Sequence, residues 1–449
     1  MADEIVRVRF APSPTGNVHI GNIRAAIFNW LFARHSGGRF LLRVEDTDRE
    51  RSTPEAIESL LDAMGWLGLD FDEEPLYQTS RTDAHLEIAD KLIADGHAYR
   101  SDLGDPSKGE ATVFRANRTV TFEDIVKGRM RKDEKQMKDF VIVRSTGVPV
   151  FHLANVLDDV HMGITHVVRG DDYVDNTFNH VLLYEAVGAE PPKFAHLPML
   201  VNDAGKPYSK RDGDAFVGDF RSRGYLPEAL FNFLALLGWS PGDNREKMSR
   251  EELVEAFTLE RVKSSAARVD LEKLQWMNGQ YLMGLPLERL KSLLEPELEA
   301  AGLSLAGRDD EWIETLLSVE AERIRTLAQF VDHARYFFEE EIAFEEKAVR
   351  KVLVKQGGAE VLGKIRPALE ALEPFDAPRI EEMVRSFAEE NGLSMGKAAQ
   401  PLRVAASGRT ASPPIGETLA LVGRERMLAR MTAAIEEAAR VGAPGKSEE

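Results

Sequence analysis

Two short loops in this chain carry residue types that suit a nucleotide. The first, APSPTGNVHIGN, runs from Ala11 to Asn22 and sets Pro12, Pro14 and Gly16 ahead of His19-Ile20-Gly21. Gly21 lets a flat base approach the backbone. Amides at a helix N-terminus favour phosphate, and the His19 imidazole can donate to a phosphoryl oxygen. The second loop is Lys206-Pro-Tyr-Ser-Lys-Arg-Asp-Gly213, with three cations, Lys206, Lys210 and Arg211, in six residues between Gly205 and Gly213. Such a loop can close on a triphosphate and offset charge that develops during in-line attack at phosphorus. Taken alone, each loop also fits an ordinary turn, one with a solvated histidine and one with solvated cations. A third segment, Glu246-Lys-Met-Ser-Arg250, looks similar. There Ser249 and Glu252 read as a capping box that opens a helix at 251–257, beyond the last expected sheet strand. The 206–211 loop is the better phosphate loop because it directly follows a strand.

The elements around these loops decide between the two readings. Residues 5–10 alternate, with Val6, Val8 and Phe10 on one face and Arg7 and Arg9 on the other, which predicts a strand. After the first loop, Ile23, Ala26, Ile27, Trp30 and Leu31 recur at helical spacing until Gly37-Gly38. A strand follows at 39–45. Thr53 as N-cap and Pro54 at the first helical position then open a helix with Ile57, Leu60, Leu61 and Met64 inward. Strand, helix, strand, helix predicts a parallel, doubly wound sheet. In such a sheet ligands bind beyond the carboxyl ends of the strands, where both loops fall. From about 97 the rhythm changes: short strands at 140–143 and 150–153 stand among polar loops, and 127–138 mixes both charge signs. A strand at 164–169, a helix near 177–187 and a strand at 194–201 resume the α/β pattern. Beyond about 245 strand signals end and amphipathic helices run on, with a frayed tail expected at 441–449.

Composition bounds the rest. The chain has 449 residues, 43% hydrophobic and 29% charged, which fits several soluble globular domains. No apolar run is long enough for a membrane span, and MADEIVRVRF resembles no targeting segment, so a cytoplasmic location is expected. Cysteine is absent, which excludes disulfides, thiolate zinc sites and cysteine nucleophiles. The net charge of −18 does not exclude a nucleic-acid partner, because a basic stripe acts locally.

Together the two loops resemble those of class I aminoacyl-tRNA synthetases, and the wider match is to the bacterial type of glutamyl-tRNA synthetase. It runs through RFAPSPTGNVHIGNIRAAIFNW, GGRFLLRVEDTDRERS, FHLANVLDD, MGITHVVRG, YSKRDG, GYLPEALFNFLALLGWS, DLEKLQWMNGQY and AAQPLRVA. RVEDTD at 43–48 fits the glutamyl type. The resemblance implies an α/β fold with a Rossmann-like doubly wound parallel sheet, an inserted α+β domain and all-α C-terminal domains. The expected divisions are catalytic 1–96, inserted acceptor-stem domain 97–185, catalytic 186–240 with a KMSKS-type loop, helical stem-contact 241–310 and anticodon-binding 311–449. The implied activity is a ligase that forms glutamyl-adenylate from L-glutamate and ATP with Mg²⁺, then loads the terminal adenosine of tRNA-Glu. A monomer without a membrane partner is expected.

Carried over by position, His19 and Lys210 would be catalytic, and His19, Gly21, Asn22, Ser209, Lys210 and Arg211 would bind ATP. Arg9, Ser13, Glu45, Phe151, Asn155 and Arg169 would bind glutamate, with Glu45 at the ammonium group and a guanidinium on the side-chain carboxylate. Ordinary alternatives are Arg9 as an outward strand residue and Glu45 as an ion-pair carboxylate. Arg323, and then Arg403 and Arg409, are candidates for reading the anticodon. Four departures stand out: Asn22 ends the HIGH-type motif, Pro207 replaces a lysine, Phe151 replaces a tyrosine, and the inserted domain lacks the cysteines with which some relatives hold zinc, so no structural zinc is expected. Competing readings are glutamyl transfer to tRNA-Gln or to queuosine on tRNA-Asp, and a catalytically impaired tRNA-binding paralogue. The queuosine enzyme lacks the helical region present here. A related nucleotidyltransferase lacks the RVEDTD and HLAN matches.

Overall fold

The computed structural model describes residues 5–14, 16–47 and 52–442. Met1–Glu4, Thr15, the Asp48 end of RVEDTD and the 443–449 tail, expected to fray, lie outside the described residues. The chain divides into two compact units, Met1–Met277 and Asn278–Glu449.

In the first unit, β1 (Arg7–Phe10), α1 (Ile20–His35), β2 (Arg39–Val44), α2 (Pro54–Trp66) and β3 (Leu76–Tyr77) follow the expected alternation. β1 pairs in parallel with β2, and β2 with β3. Thr53 caps α2, its hydroxyl accepting from Ala56 N at 3.3 Å. The alternation in β1 does not mark a solvated face. Val8, Arg9 and Phe10 are all buried, because strands of a parallel sheet are covered on both sides. α1 is also buried around most of its circumference, including Arg24 and Asn29.

After α3 (Thr82–Ala94), an antiparallel sheet forms from β4 (Ala98–Ser101), β5 (Ala111–Phe114) and, beyond the hairpin of β6 (Val120–Asp124) and β7 (Gly128–Lys132), β8 (Phe140–Val143). The strand expected at 150–153 is instead the start of a helix, α4 (Phe151–His161). Leu153, Val156 and Leu157 have helical spacing, and helix periodicity prevails over the short apolar run. β9 (His166–Gly170), α5 (Val174–Ala186) and β10 (Lys193–Leu197) follow, with β9 and β6 both parallel to β10. Thr165 N donates to Arg7 O at 3.0 Å, and Arg7 N donates to Thr165 Oγ1 at 2.9 Å, which joins the β9 end to β1. The 97–185 segment is therefore shared between two sheets, since β6 and β9 belong with β10.

The strand expected at 194–201 is two strands. Pro198, which has no N–H for a ladder, separates β10 from β11 (Leu200–Val201). α6 (Val217–Ser222), α7 (Pro227–Leu236) and α8 (Arg250–Ala256) come next. Strand structure does not end at 245: β12 (Ala267–Arg268) pairs in parallel with β11, and Lys263 N donates to Gly238 O at 2.8 Å. Those bonds hold residues past the expected 240/241 boundary in the α/β unit, and α9 (Leu271–Met283) carries the division.

The second unit is helical among its described residues. Its amphipathic helices include α10 (Leu287–Ala300), α11 (Asp310–Ala321), α12 (Leu327–Phe338) and a short α13 (Glu346–Ala348) that runs into a π-helical stretch at Val349–Lys355. They continue with α14 (Gly358–Glu370), α15 (Ala377–Glu390), α16 (Met395–Ser407), α17 (Ile415–Val422) and α18 (Arg424–Gly442). Buried Arg430 staples this core by donating to the carbonyls of Ala406 and Tyr336 at 2.6 and 2.8 Å.

Candidate active site

The loop after β1 delivers His19 to the first position before α1. Its extended backbone is followed by helix, and Nδ1 accepts from Gly21 N at 3.0 Å. A side chain at 21 would bring its Cβ to 3.2 Å from that nitrogen, so glycine keeps the cap clear. With the Nδ1 lone pair engaged, the proton of the neutral ring sits on Nε2. Burial lowers the His19 pKa, and a hydrogen bond with the Tyr208 backbone works against that. The first amides of α1 are not free for phosphate, contrary to the sequence expectation. Ile20 N donates to Ala215 O at 2.9 Å, and Gly21 N is held by the ring. The imidazole Nε2–H is the other polar group on this side, and the Tyr208 backbone engages it. Asn22 is exposed at the rim.

The second loop is a hairpin that leaves β11 and returns. Asn202 N donates to Lys206 O at 2.8 Å and Tyr208 N donates to Leu200 O at 2.9 Å. Pro207 stands opposite Val201 in the non-hydrogen-bonded pair between those bonds, so the ladder never uses the N–H that proline lacks. Ser209 opens a 3₁₀ turn, Lys210–Asp212. Its N–H and its hydroxyl both donate to Asp212 Oδ2 at 2.9 Å, and Asn202 Nδ2 donates to Asp212 Oδ1 at 2.7 Å. Lys210 and Arg211 remain exposed. Val217 N donates to Val18 O at 3.0 Å, tying the two loops together. Between them lies Phe216, which sequence reasoning passed over. Its ring is 6.0 Å from the His19 ring, edge to face, and 5.8 Å from Lys210 Nζ. A cleft of about 310 Å³ opens here, lined by His19, Gly21, Asn22, Arg24, Asp171, Tyr173, Pro207 and Tyr208 among others.

The competing segment at 246–250 is framework. Ser249 Oγ accepts from Glu252 N at 3.2 Å, and Ser249 N donates to Glu252 Oε2 at 2.7 Å, which caps α8. Arg250 donates to the Leu67 and Gly68 carbonyls at 2.7 Å each and lies 4.3 Å from the Phe231 ring centroid.

A buried ionic cluster joins β1, β2 and α4. Arg9 donates through Nε and Nη2 to Asp159 Oδ1 and Oδ2 at 2.8 and 3.2 Å. Arg43 bridges Asp159 Oδ1 at 2.5 Å and Glu45 Oε1 at 3.1 Å. Asn155 Nδ2 donates to the same Glu45 oxygen at 2.8 Å, and Tyr184 donates to Asp159 Oδ2 at 3.1 Å. Asn155 and Asp159 are one turn apart on α4, so both meet β1 and β2 from the same face. Burial alone would raise the Asp159 carboxyl, but Arg43 and Arg9 hold it at about 2. Arg9 is thus an inward residue committed to Asp159, and among the described residues no donor meets Glu45 Oε2. Pro12 O accepts from Glu45 N at 3.0 Å, and the following Ser13 is exposed.

Arg169, at the end of β9, has different surroundings. It is 7% exposed, and among the described residues no carboxylate bonds it. Nη2 donates to Thr177 Oγ1 at 2.7 Å, and the guanidinium lies 3.4–3.5 Å from His180 Nδ1 and His196 Nε2. Its plane faces the Tyr173 ring, with Cζ 5.3 Å from the centroid. Burial, and then the charge of Arg9, bring its pKa down to about 10. Burial and Arg169 in turn depress His152 to about 4 and push His180 well below its ordinary value, so both are neutral acceptors. Phe151 is half-buried, its ring 5.7 Å from Tyr173 and 5.4 Å from His180.

The structure brings Arg9, Glu45 and Asn155 together through Asp159 and Arg43, sets Phe151 and Arg169 beside Tyr173 and His180, and lines one cleft with His19, Gly21 and Asn22; Ser209, Lys210 and Arg211 lie on the turn that follows the cleft residues Pro207 and Tyr208. Sequence reasoning missed Arg43, Asp159, Thr177, His180 and His196. Only Asp159 left a signal, its helical spacing from Asn155. In the second unit Arg323 donates to both oxygens of buried Glu320, at 2.8 and 3.1 Å. Arg403 donates to Ser412 Oγ at 2.9 Å, and its pKa is lowered by burial and then by Arg323. Arg409 Nε lies 3.5 Å from Glu345.

Comparison with known proteins gives a consistent picture. Residues 5–107 and 105–276 match the family described as tRNA synthetases class I (E and Q), catalytic domain, and residues 287–435 match an anticodon binding domain. A glutamate–tRNA ligase 1 of Caldanaerobacter subterraneus subsp. tengcongensis is 39% identical, over 96% of this chain and 98% of its own length. A glutamate–tRNA ligase 2 of Halorhodospira halophila is 40% identical over the same shares. The crystal structure of a glutamate tRNA ligase from Elizabethkingia meningosepticum, in complex with its amino acid, superposes with a TM-score of 0.87 at 31% identity, over 96% of this chain and 99% of that one.

Proposed function

The chain belongs to the glutamate–tRNA ligases of the class I tRNA synthetase family, and on that premise we propose that it activates L-glutamate with ATP and transfers it to the 3′-terminal adenosine of tRNA-Glu. The observation that carries the glutamate assignment is Arg169. A buried guanidinium ringed by Thr177 and neutral imidazoles, without a carboxylate partner among the described residues, is suited to receive one from a substrate. Glutamine cannot offer that charge, and it would leave the guanidinium buried and uncompensated. Glu45, anchored by Arg43 and Asn155, takes the substrate ammonium. Arg9 completes the pocket from the Asp159 side, and Ser13 and Phe151 flank it.

ATP occupies the cleft with its base against Gly21 and Asn22 and its phosphates toward His19 and the 209–211 turn. Mg²⁺ would enter on the triphosphate. Among the described residues no group of three or more His, Asp or Glu side chains is arranged to hold a metal. In the first step a glutamate α-carboxylate oxygen bonds to the α-phosphorus and the bond to pyrophosphate breaks. His19 Nε2–H and the Lys210 ammonium offset the charge on the phosphoryl oxygens. In the second step the 2′-hydroxyl of the terminal adenosine attacks the glutamyl carbonyl, loses its proton, and AMP departs. The 97–185 insert takes the acceptor stem, 241–310 the inner stem, and 311–449 the anticodon, with Arg323 the first candidate reader. The enzyme acts as a cytoplasmic monomer and, being free of cysteine, without structural zinc.

The test is ATP–pyrophosphate exchange with purified tRNA, with glutamate and glutamine compared, alongside charging of tRNA-Glu and tRNA-Gln. Exchange with glutamate alone is expected. No exchange with any tRNA, or equal exchange with glutamine, would overturn the reading.

A further inference from the structure

We infer that Thr177, His196 and Asp124 form a hydrogen-bonded relay that positions the Arg169 guanidinium, which makes them specificity-determining residues for the side-chain carboxylate although none of them need touch the substrate. The inference rests on the glutamate reading above. Asp124 ends β6, His196 lies in β10, Thr177 in α5 and Arg169 in β9, so four elements converge on one line of bonds. Asp124 Oδ2 is 2.6 Å from His196 Nδ1, His196 Nε2 is 2.8 Å from Thr177 Oγ1, and Arg169 Nη2 is 2.7 Å from that hydroxyl. Thr177, His196 and Asp124 are all buried.

The proton assignments follow from the contacts. Arg169 Nε points at His196 Nε2 from 3.5 Å, and a guanidinium is only a donor, so that ring nitrogen bears a lone pair. His196 then donates from Nδ1 to Asp124. The Thr177 hydroxyl accepts from Arg169 and directs its proton to His196 Nε2 at 2.8 Å, with the Tyr173 carbonyl a longer competing acceptor at 3.1 Å. Both Asp124 oxygens are committed. Oδ1 accepts from Val126 N and Lys127 N at 2.9 and 2.8 Å, in the turn of the β6–β7 hairpin, and Oδ2 holds the imidazole.

The consequence is chemical. A carboxylate bonded directly to Arg169 would compete with the substrate. Here the negative charge stands two hydrogen-bonded groups away, so the relay fixes the guanidinium plane while leaving its charge for the ligand. A buried, charge-assisted hydrogen bond of this kind controls orientation to a few tenths of an ångström, which a bidentate carboxylate contact requires.

The test compares Thr177→Val, which keeps the shape and removes the hydroxyl, with Thr177→Ser, which restores it. Both are assayed by tRNA-dependent ATP–pyrophosphate exchange at varied glutamate, ATP and tRNA. For Thr177→Val the KM for glutamate is expected to rise about tenfold to a hundredfold, and the preference over glutamine to fall, with the KM values for ATP and tRNA unchanged. Thr177→Ser should lie within about threefold of the parent. His196→Gln, which can still accept from Thr177 but cannot donate to Asp124, should fall between the two. An unchanged glutamate KM in Thr177→Val, an equal rise in all three KM values, or a Ser variant as impaired as Val would each refute the relay. Absence of exchange in the parent enzyme would instead refute the glutamate reading.

Discussion

Replacing Arg169 by methionine should make the substrate-free protein more stable and the enzyme nearly inactive. The guanidinium is buried, and its pKa falls to about 10 because burial, and then the charge of Arg9, outweigh the Asp159 carboxylate. For a base whose folded pKa lies below its unfolded one, the folded state is penalised at every pH where the unfolded group is protonated. The penalty is therefore complete below about pH 10 and fades above it. Its size corresponds to roughly 3 kcal/mol at neutral pH. Methionine fills much of the same volume and leaves Thr177 and His196 bonded to each other. The His180 acceptor it strands costs about 1 kcal/mol, so a net gain of roughly 1–2 kcal/mol is expected. Removing one partner of a buried pair costs about 3–5 kcal/mol, so glutamate activation should drop by roughly two to nearly four orders of magnitude. Urea unfolding without ligand and exchange kinetics measure the two effects, and added glutamate should stabilise the parent but not the variant. A variant that unfolds at lower urea than the parent, or that retains exchange within tenfold, would refute the argument that Arg169 is held charged for the substrate.

Two further predictions concern the loops and the ionic cluster. Lys210→Ala should reduce exchange about 10²–10³-fold while tRNA binding persists, whereas Lys247→Ala should leave exchange unchanged; the reverse pattern would mean that the 246–250 segment is the phosphate loop. Asp159, held at about 2 against an ordinary 3.8, stabilises the fold above pH 4 by about 2 kcal/mol, a contribution lost as pH falls from 4 toward 2. Asp159→Asn should therefore cost about 3–5 kcal/mol at pH 7 in urea unfolding and flatten the acid limb of the stability curve. An unchanged acid limb would remove Asp159 as its origin.

Local signals carried much of the fold. Thr53-Pro54 marked a helix start that its cap bond explains, and His19 follows β1 as the strand–helix alternation implied, whereas the 206–213 loop follows β11, which pairs with β12 in a sheet apart from that of β1. The failures have physical causes. Residues 150–153 looked like a strand because a window of four residues cannot display a 3.6-residue period, which emerges only with Val156 and Leu157 in α4. The two-residue strand Ala267–Arg268 is too short to leave a pattern and exists only because Leu200–Val201 pairs with it. The free amides expected at the N-terminus of α1 were taken by Ala215 and the His19 ring, contacts made across about two hundred residues or by a side-chain rotamer.

By itself the sequence determined the class of chemistry: a nucleotide loop with His19 and Gly21 and a cationic loop with Lys210, while the family resemblance carried by its motifs implied Arg9, Glu45 and Arg169 as contacts for an amino acid with a carboxylate side chain. What it could not decide was which of those charges are already satisfied. Arg9 and Arg169 are the same residue type on neighbouring strands. One is neutralised by Asp159, 150 positions away, and the other meets, among the described residues, a hydroxyl, imidazoles and the Tyr173 ring. Whether a buried guanidinium is free for a ligand depends on the atoms within about 4 Å of it, and only tertiary packing sets those neighbours.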